Sequence, residues 1–332
     1  MEMLSLLLQA VLVLAGAAAA ASVAGSRHQF YRRMGNATAA KRPETSSRRV
    51  FGGSSAALST FPPTSMILDR YWGTCCSGAV LTDYWVLTAA HCVTAKVAYV
   101  LYDTRRPSTR DSKIASVVYM YRHPDFKVLE EDEGRGMDVT ILRHDVGLLR
   151  TSSPMKLTTR PAVRAPMDPV RSLSLYNLKY LQDQDVQVLG FGGTEHTKLG
   201  EQLFEVRLRA VSCERSSWEH CMCGVGQPQR SGGARGVCAG DSGGPVVFRG
   251  AQVGVTSMGP IECTAVAADP PESATSVFTS LYQYSNLINA TMHDTESVLR
   301  MRRMSWPAPS ATAPPALRTP LAAAALFVHV AR

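Results

Sequence analysis

Three separated residues of this chain have the types needed to make a serine nucleophilic. Ser242 stands in the string Gly-Asp-Ser-Gly-Gly-Pro at 240–245, His91 is followed by Cys92, and Asp138 opens an apolar run. A serine hydroxyl is a poor nucleophile at neutral pH unless a base lies within hydrogen-bond reach, and the base needs an acid that fixes its tautomer. The sequence therefore predicts acyl-transfer chemistry with Ser242 as nucleophile, His91 as base and Asp138 as acid.

The elements that would carry these residues have the pattern of short β-strands. From residue 50 onward, short apolar runs are separated by turn residues, and several runs alternate between apolar and polar positions, which is typical of half-buried strands. The pattern predicts an all-β barrel or sandwich. Helical spacing at the end of the domain predicts a C-terminal helix packed on its second half. The residues with this helical spacing are Leu281, Tyr284, Leu287 and Ile288.

Composition limits the class of protein. The chain has 332 residues, 45% of them hydrophobic and 19% charged, which suffices for one large β domain with appendages. The net charge of +8 allows attraction to anionic surfaces, but no basic stripe interleaved with aromatic residues is visible, so no nucleic-acid partner is predicted. Basic residues concentrate at Arg48 and Arg49 and at Arg300, Arg302 and Arg303, which we interpret as a processing site and a solvated tail.

The N-terminal residues have the composition of a secretory leader followed by a propeptide. Residues 3–24 are apolar and end in small residues, which predicts a signal peptide over 1–24. A transmembrane anchor is the alternative, and the weakly apolar alanines disfavour it. Residues 25–49 are polar and basic and predict a propeptide, while sequons predict glycosylation at Asn36 and Asn289. We therefore expect a secreted, extracellular protein.

The C-terminal residues 293–332 differ in composition from the rest of the chain. Residues 305–320 contain five prolines among Ala, Ser and Thr, which predicts a disordered linker. Small residues at 310–312, a spacer and the mostly apolar residues 321–332 loosely match a lipid-anchor signal. An ordinary disordered tail is the alternative, and a membrane is a partner only if the tail is an anchor signal.

A further motif strengthens the pattern around the three reactive residues. Arg49 and Val50 begin the string Arg-Val-Phe-Gly-Gly, and with it the chain resembles the trypsin/chymotrypsin family of serine endopeptidases over residues 50–292. The chain order His, Asp, Ser distinguishes this family from subtilisins and α/β-hydrolases. The resemblance implies an all-β fold of two six-stranded antiparallel β-barrels, about 50–160 and 161–280, with the active site between them and a C-terminal helix.

The resemblance also implies activation by proteolysis. Cleavage after Arg49 would free the Val50 ammonium, which would pair with the Asp241 carboxylate. The backbone amides of Gly240 and Ser242 would form the oxyanion hole. Because residues 1–74 lack cysteine, the released propeptide would not stay tethered.

The substrate pocket implied by the resemblance is neutral. Its floor position holds Gly236, where trypsin-like members carry an aspartate that binds Lys or Arg, so we expect cleavage after small or medium neutral residues. Arg230 or Arg235 near the pocket would instead favour acidic residues, although surface positions are the simpler interpretation. The remaining pocket positions are Val237, Ser257, Gly259 and Ser276.

The expected partners follow from this chemistry. They are protein or peptide substrates, an upstream trypsin-like protease that cuts after Arg49, and a serine protease inhibitor. A catalytically silent homologue that acts as a binding or regulatory module is the alternative function.

All eight cysteines lie between positions 75 and 263, which fits an oxidising compartment. Adjacent residues of a strand face opposite sides, so only one of Cys75 and Cys76 can reach Cys92. No spacing of His, Cys or carboxylates suggests a metal or cofactor site, and none is predicted. The pairs implied by the resemblance are Cys76–Cys92, Cys238–Cys263, and Cys213 with Cys223 or alternatively with Cys221.

Overall fold

The structure is a computed structural model. The segments predicted as signal peptide and propeptide, Val50 and most of the C-terminal residues lie outside the residues that it describes, as does Asn36. The described residues are 53–107, 112–132, 137–163, 168–193, 200–213, 215–226, 236–238, 240–259, 276–293 and 302–304.

Six antiparallel strands close into a first barrel. The closing contact is the pairing between the last two of them, in which Met120 lies opposite Leu149. The strands are β2 (Thr64–Asp69), β3 (Thr74–Thr82), β4 (Trp85–Thr88), β5 (Val97–Tyr102), β6 (Lys113–Arg122) and β9 (Gly147–Thr151).

Six further antiparallel strands close into a second barrel. Its closure is the pairing of β11 with β13, and the short strand β1 (Ser54–Ser55) adds to the outer side of β11. The predicted architecture of two six-stranded barrels is confirmed. The strands are β10 (Asp185–Gly190), β11 (Phe204–Ser212), β13 (Cys221–Val225), β14 (Pro245–Phe248), β15 (Ala251–Met258) and β16 (Ser276–Ser280).

Strand β11 shows how the sequence pattern forms these elements. Phe204, Val206 and Leu208 are buried, whereas Glu205 and Arg207 between them are more exposed. Because successive side chains of a strand point to opposite faces, this alternation places one apolar face inside the barrel and one polar face outside.

A separate three-stranded sheet and three short α-helices also lie among the described residues. Strands β7 (Lys127–Asp132), β8 (Met137–Arg143) and β12 (Trp218–Glu219) form a separate sheet. No helix among the described residues is long and apolar enough to cross a membrane. The helices are α1 (Pro169–Ser172), α2 (Leu178–Leu181) and α3 (Ser285–Met292).

The C-terminal helix α3 forms where predicted but packs elsewhere. Tyr284 and Ile288 are buried in the same hydrophobic cluster as Val86, Val100 and Leu148 of the first barrel. The expectation that this helix packs on the second barrel was wrong, because the chain crosses back to the first barrel after β16.

A short strand forms within the segment that was expected to be disordered. Strand β17 (Arg302–Met304) pairs antiparallel with the end of β6, where Arg303 lies opposite Tyr121. The backbone of β17 forms hydrogen bonds with a part of β6 that β5 leaves unpaired. The prediction that residues 302–304 are disordered was therefore wrong.

Candidate active site

His91 lies in a tight turn that directly follows β4. The turn is a single 3-10 helix, Ala90–Cys92, and a disulfide joins Cys92 to Cys76 on β3, as predicted, with a Cα–Cα distance of 6.1 Å. The bond ties this turn to a neighbouring strand of the first barrel, so the position of the His91 backbone is fixed from both sides.

The acid that contacts His91 is Asp145. Its Oδ2 lies 2.7 Å from Nδ1 of His91, and its Oδ1 accepts the backbone N–H of His91 at 2.9 Å. The hydroxyl of Ser257 donates to Oδ2 of the same carboxylate. Burial alone would raise the pKa of Asp145, but the charge of His91 and the donors from His91 and Ser257 hold that pKa below its usual range. The carboxylate is therefore ionised and oriented by three donors.

The assignment of the acid to Asp138 is corrected by this contact. Asp138 lies in β8, where its Cα is opposite Glu131 of β7 in the separate three-stranded sheet. Asp145 instead precedes β9, which pairs with the strand that leads to His91, with Thr88 opposite Gly147. Both aspartates open an apolar run, so the signal for Asp145 was present in the sequence, but the pairing of β4 with β9 was not.

Ser77 holds the loop of Ser242 on both sides, and sequence reasoning missed it. Its backbone N–H donates to the carbonyl of Ser242 at 2.8 Å, and its hydroxyl donates to the carbonyl of Gly240 at 2.8 Å. Because Ser77 follows Cys76, the disulfide to Cys92 connects the turn of His91 with the loop of Ser242. The Sγ atom of Cys92 lies 3.5 Å from the carbonyl oxygen of Ser242.

Two glycines give this loop its shape. Gly240 has φ 93° and Gly243 has φ 81°, in the left-handed region that favours glycine. A Cβ added at Gly243 would lie 2.1 Å from Oγ1 of Thr88. The serine loop thus packs directly on the end of β4, just before His91. The roles of the Gly240 and Ser242 amides as oxyanion donors stay predictions.

Asp241 is a buried carboxyl group beside the serine. It accepts the backbone N–H of Cys238 at 2.8 Å and that of Gly192 at 2.9 Å. Burial raises the pKa of Asp241 to about 6, and the two backbone donors offset this only in part. A Cβ added at Gly190 would lie 2.2 Å from Oδ1 of Asp241, so the carboxyl group fills space that only glycines leave open.

The described pocket residues adjoin one another. The backbone N–H of Val237 donates to Oγ of Ser276 at 3.1 Å, and a Cβ added at Gly259 would lie 2.3 Å from the carbonyl oxygen of Val237. Gly236 precedes Val237 and is buried. Ser257 was also assigned to the pocket, and its hydroxyl donates a hydrogen bond to Asp145. Arg230 and Arg235 lie outside the described residues.

The cysteines follow the expected pairing as far as the structure describes them. Cys213 is bonded to Cys223 rather than to Cys221, and Cys238 is disulfide-bonded while its predicted partner Cys263 lies outside the described residues. Cys221 is a buried free thiol, and burial raises the pKa of Cys221 to about 12, so it is not a reactive thiolate.

One group of potential metal ligands lies among the described residues, and it does not suit a metal. It consists of Cys76, His91 and Cys92, whose ligand atoms lie within 4.8 Å of one another. Both sulfur atoms belong to one disulfide, so neither is available as a thiolate ligand.

Comparisons with known proteins agree with this geometry. Residues 50–288 match the family model described as Trypsin. Kallikrein 1-related peptidase b11 of Mus musculus is 27% identical over 267 residues, covering 74% of this chain and 90% of that protein. Kallikrein-2 of Homo sapiens is 27% identical over 262 residues, with the same coverage.

A solved structure shares the fold. Neuropsin, a serine protease expressed in the limbic system of mouse brain, has a TM-score of 0.55 and 22% identity, covering 72% of this chain and 98% of that chain. Since the family match spans most of the sequence, this chain belongs to the trypsin family and is a serine-type endopeptidase.

Proposed function

We propose that the chain is a secreted, zymogen-type endopeptidase whose nucleophile is Ser242, with His91 as base and Asp145 as acid. The observation that carries this proposal is the buried carboxylate of Asp145 on Nδ1 of His91, in a turn bonded to the serine loop through Cys76, Cys92 and Ser77. A silent homologue has no need of an ionised, three-donor carboxylate behind its histidine.

In the proposed mechanism His91 acts first as a base and then as an acid in each half-reaction. His91 takes the proton of Ser242 through its Nε2 as the hydroxyl oxygen attacks the scissile carbonyl carbon, and then gives that proton to the leaving amine. Asp145 keeps the proton on Nδ1 and stabilises the imidazolium. The amides of Gly240 and Ser242 hold the oxyanion of the tetrahedral intermediate. In the second half-reaction, a water molecule attacks the acyl carbon while His91 takes its proton. The bond from the acyl carbon to Oγ of Ser242 then breaks, and His91 returns the proton to Oγ.

The proposed specificity is for small or medium neutral residues before the cleaved bond. Gly236 offers no carboxylate at the pocket floor, and Ser276 adds a hydroxyl that already accepts the N–H of Val237. A Lys or Arg side chain would lose its hydration without gaining a charged partner.

Proposed activation follows cleavage after Arg49 by a separate trypsin-like enzyme. Ser55 of β1 lies opposite Phe204, and Phe204 also lies opposite Gly190, which adjoins Asp241. Val50 lies four residues before β1, and four extended residues reach about 13 Å. A new N-terminus at Val50 could therefore reach from β1 to the Asp241 carboxyl group. A neutral pocket does not bind Arg49, which is why we propose that self-activation is inefficient.

Secretion and glycosylation are part of the same proposal. Asn289 is exposed on α3, so a glycan there would extend into solvent. A serine protease inhibitor is the regulatory partner that we propose for the mature enzyme.

The decisive experiment is labelling of the full chain with a fluorophosphonate probe before and after treatment with trace trypsin. We expect labelling only after cleavage at Arg49, and none in Ser242→Ala. A peptide library then reports specificity, for which Gly236→Asp is the matched variant and should shift cleavage toward Lys and Arg. Absence of labelling in correctly cleaved protein would support the silent homologue instead.

A further inference from the structure

Aromatic and arginine side chains alternate across four neighbouring strands of the first barrel. Trp85 of β4 lies opposite Arg150 of β9, and Arg150 lies opposite Tyr119 of β6. On the other side of β6, Arg303 of β17 lies opposite Tyr121 and diagonal to Tyr119. We call Trp85, Arg150, Tyr119 and Arg303 the arginine ladder.

The rings orient both guanidinium groups of the ladder. The Cζ atom of Arg150 lies 5.8 Å from the Trp85 ring centroid and 5.7 Å from that of Tyr119. The Cζ atom of Arg303 lies 3.9 Å from the Tyr119 centroid. Cation–π contacts of this kind hold the planar groups in place while their N–H donors remain at the rim.

The second guanidinium group comes from outside the family domain. The family match ends at residue 288, whereas Arg303 belongs to a strand that returns from beyond it. The sequence alone placed Arg303 in a solvated tail, far from Arg150. Strand pairing brings the two together on one face.

The ladder carries uncompensated positive charge. Arg150 and Arg303 are exposed, and no ion pair joins either of them to a carboxylate within the described part of the chain. Such a patch attracts anionic ligands, and the net charge of +8 on the whole chain adds to this attraction.

We propose that the arginine ladder binds a linear sulfated polysaccharide. Guanidinium forks donate paired N–H groups to tetrahedral and planar oxyanions. Arg150 and Arg303 stand on strands that flank β6 on both sides, about 10 Å apart by strand spacing, so one ligand with repeated charges can contact both. The inference does not depend on the catalytic proposal, because none of the four residues has a role in the proposed mechanism.

The surroundings of the ladder disfavour other polyanions. A single-stranded nucleic acid would need free aromatic faces for base stacking, but the Tyr119 ring already carries two guanidinium groups. A membrane surface would need exposed apolar side chains, but Trp85 is only 7% exposed.

The test is binding of the full chain to a size-fractionated heparin oligosaccharide by calorimetry at several salt concentrations. We expect Arg150→Ala and Arg303→Ala each to weaken binding by about three- to tenfold, and to lower the slope of log affinity against log salt by about one. The matched control is Arg249→Ala, since Arg249 is also stacked, 5.0 Å from the Phe248 ring, but on the second barrel. Cleavage of a short peptide substrate should stay unchanged in all three.

Two results would overturn the proposal. One is equal weakening by Arg249→Ala, which would mean that net charge alone drives binding. The other is equal or tighter binding of a single-stranded oligonucleotide or of phosphatidylserine vesicles under the same salt, which would assign the ladder to a different polyanion. Normal peptide cleavage by Arg303→Ala shows that the variant is folded, so a loss of heparin binding is not a loss of structure.

Discussion

Oδ2 of Asp145 accepts two hydrogen bonds at once, one from Nδ1 of His91 at 2.7 Å and one from the hydroxyl of Ser257. With the N–H of His91 on Oδ1, this carboxylate has three donors in a fully buried position. Such a group fixes both the tautomer and the ring orientation of the histidine.

Substituting each aspartate in turn should therefore show which of Asp145 and Asp138 is the catalytic acid. We expect Asp145→Asn to lower kcat by about 10⁴-fold, because the amide favours the wrong tautomer of His91. Asp138→Asn is the matched control and should retain activity near that of the unchanged protein. Both are measured with trypsin-activated protein and a peptide that carries a neutral residue before the cleaved bond. Loss of activity in Asp138→Asn alone would reverse the assignment.

Removing the Ser257 hydroxyl should lower the catalytic rate without abolishing it. The loss of one donor to a buried carboxylate corresponds to about 1–3 kcal/mol, so we expect Ser257→Ala to lower kcat by roughly ten- to a hundredfold and to raise the pKa of Asp145. Thr256→Val is the control, since the Thr256 hydroxyl is buried and has no hydrogen-bond partner within the described part of the chain. It should leave kcat unchanged; equal losses in both variants would contradict a specific role for Ser257.

Asp241 should make the uncleaved chain less stable as pH rises. Burial raises the pKa of Asp241 from 3.8 to about 6, so the folded chain holds this proton more tightly than the unfolded chain does. The free energy of unfolding then falls as pH rises through this interval, by on the order of 3 kcal/mol for a shift of this size. Asp241→Asn removes this dependence.

The comparison is made by urea unfolding from pH 4 to pH 7 in a Ser242→Ala background, which prevents self-digestion. After cleavage at Arg49 the fall in stability from pH 4 to pH 7 should disappear, because the Val50 ammonium would pair with the carboxylate and keep the pKa of Asp241 below this interval. Asp241→Asn should then destabilise the cleaved chain, because it loses that pair. An unchanged pH dependence after cleavage would argue against the proposed ion pair.

A cluster of three histidines beside Asp145 should destabilise the fold in acid. His123 stacks on His144 at 4.2 Å, and His220 lies 5.8 Å from His144. Burial and then the charge of His144 lower the pKa of His123 to about 4, and burial also lowers the pKa of His144. Asp125, Glu219 and Arg143 are the other charged groups that act on the cluster.

The unfolded histidines bind protons from about pH 6.5 downward, whereas the folded His123 does not until about pH 4. Stability contributed by the neutral cluster is therefore present above pH 6.5 and is lost as pH falls toward 4. We expect His123→Asn to flatten this part of the curve of melting temperature against pH. His293→Asn, at an exposed histidine after α3, is the control and should follow the unchanged protein.

The sequence by itself determined the class of chemistry and the type of fold. Ser242 and His91 stand in short strings whose order and spacing along the chain predict this chemistry, and the alternation in β11 predicts a strand with one apolar face. The resemblance to the trypsin family implied the bond between Cys76 and Cys92, which the structure confirms. These features depend on local spacing, which the chain carries without reference to its other parts.

Only the tertiary structure showed that Asp145, and not Asp138, contacts His91, and that Ser77 contacts the loop of Ser242. It also showed that α3 packs on the first barrel and that Arg303 contacts Tyr119. Each of these depends on which strands or helices are neighbours. Side-chain period does not encode that choice, because every strand with one apolar face satisfies the same local pattern. Pairing of β4 with β9 selects the acid, and pairing of β17 with β6 creates the arginine ladder.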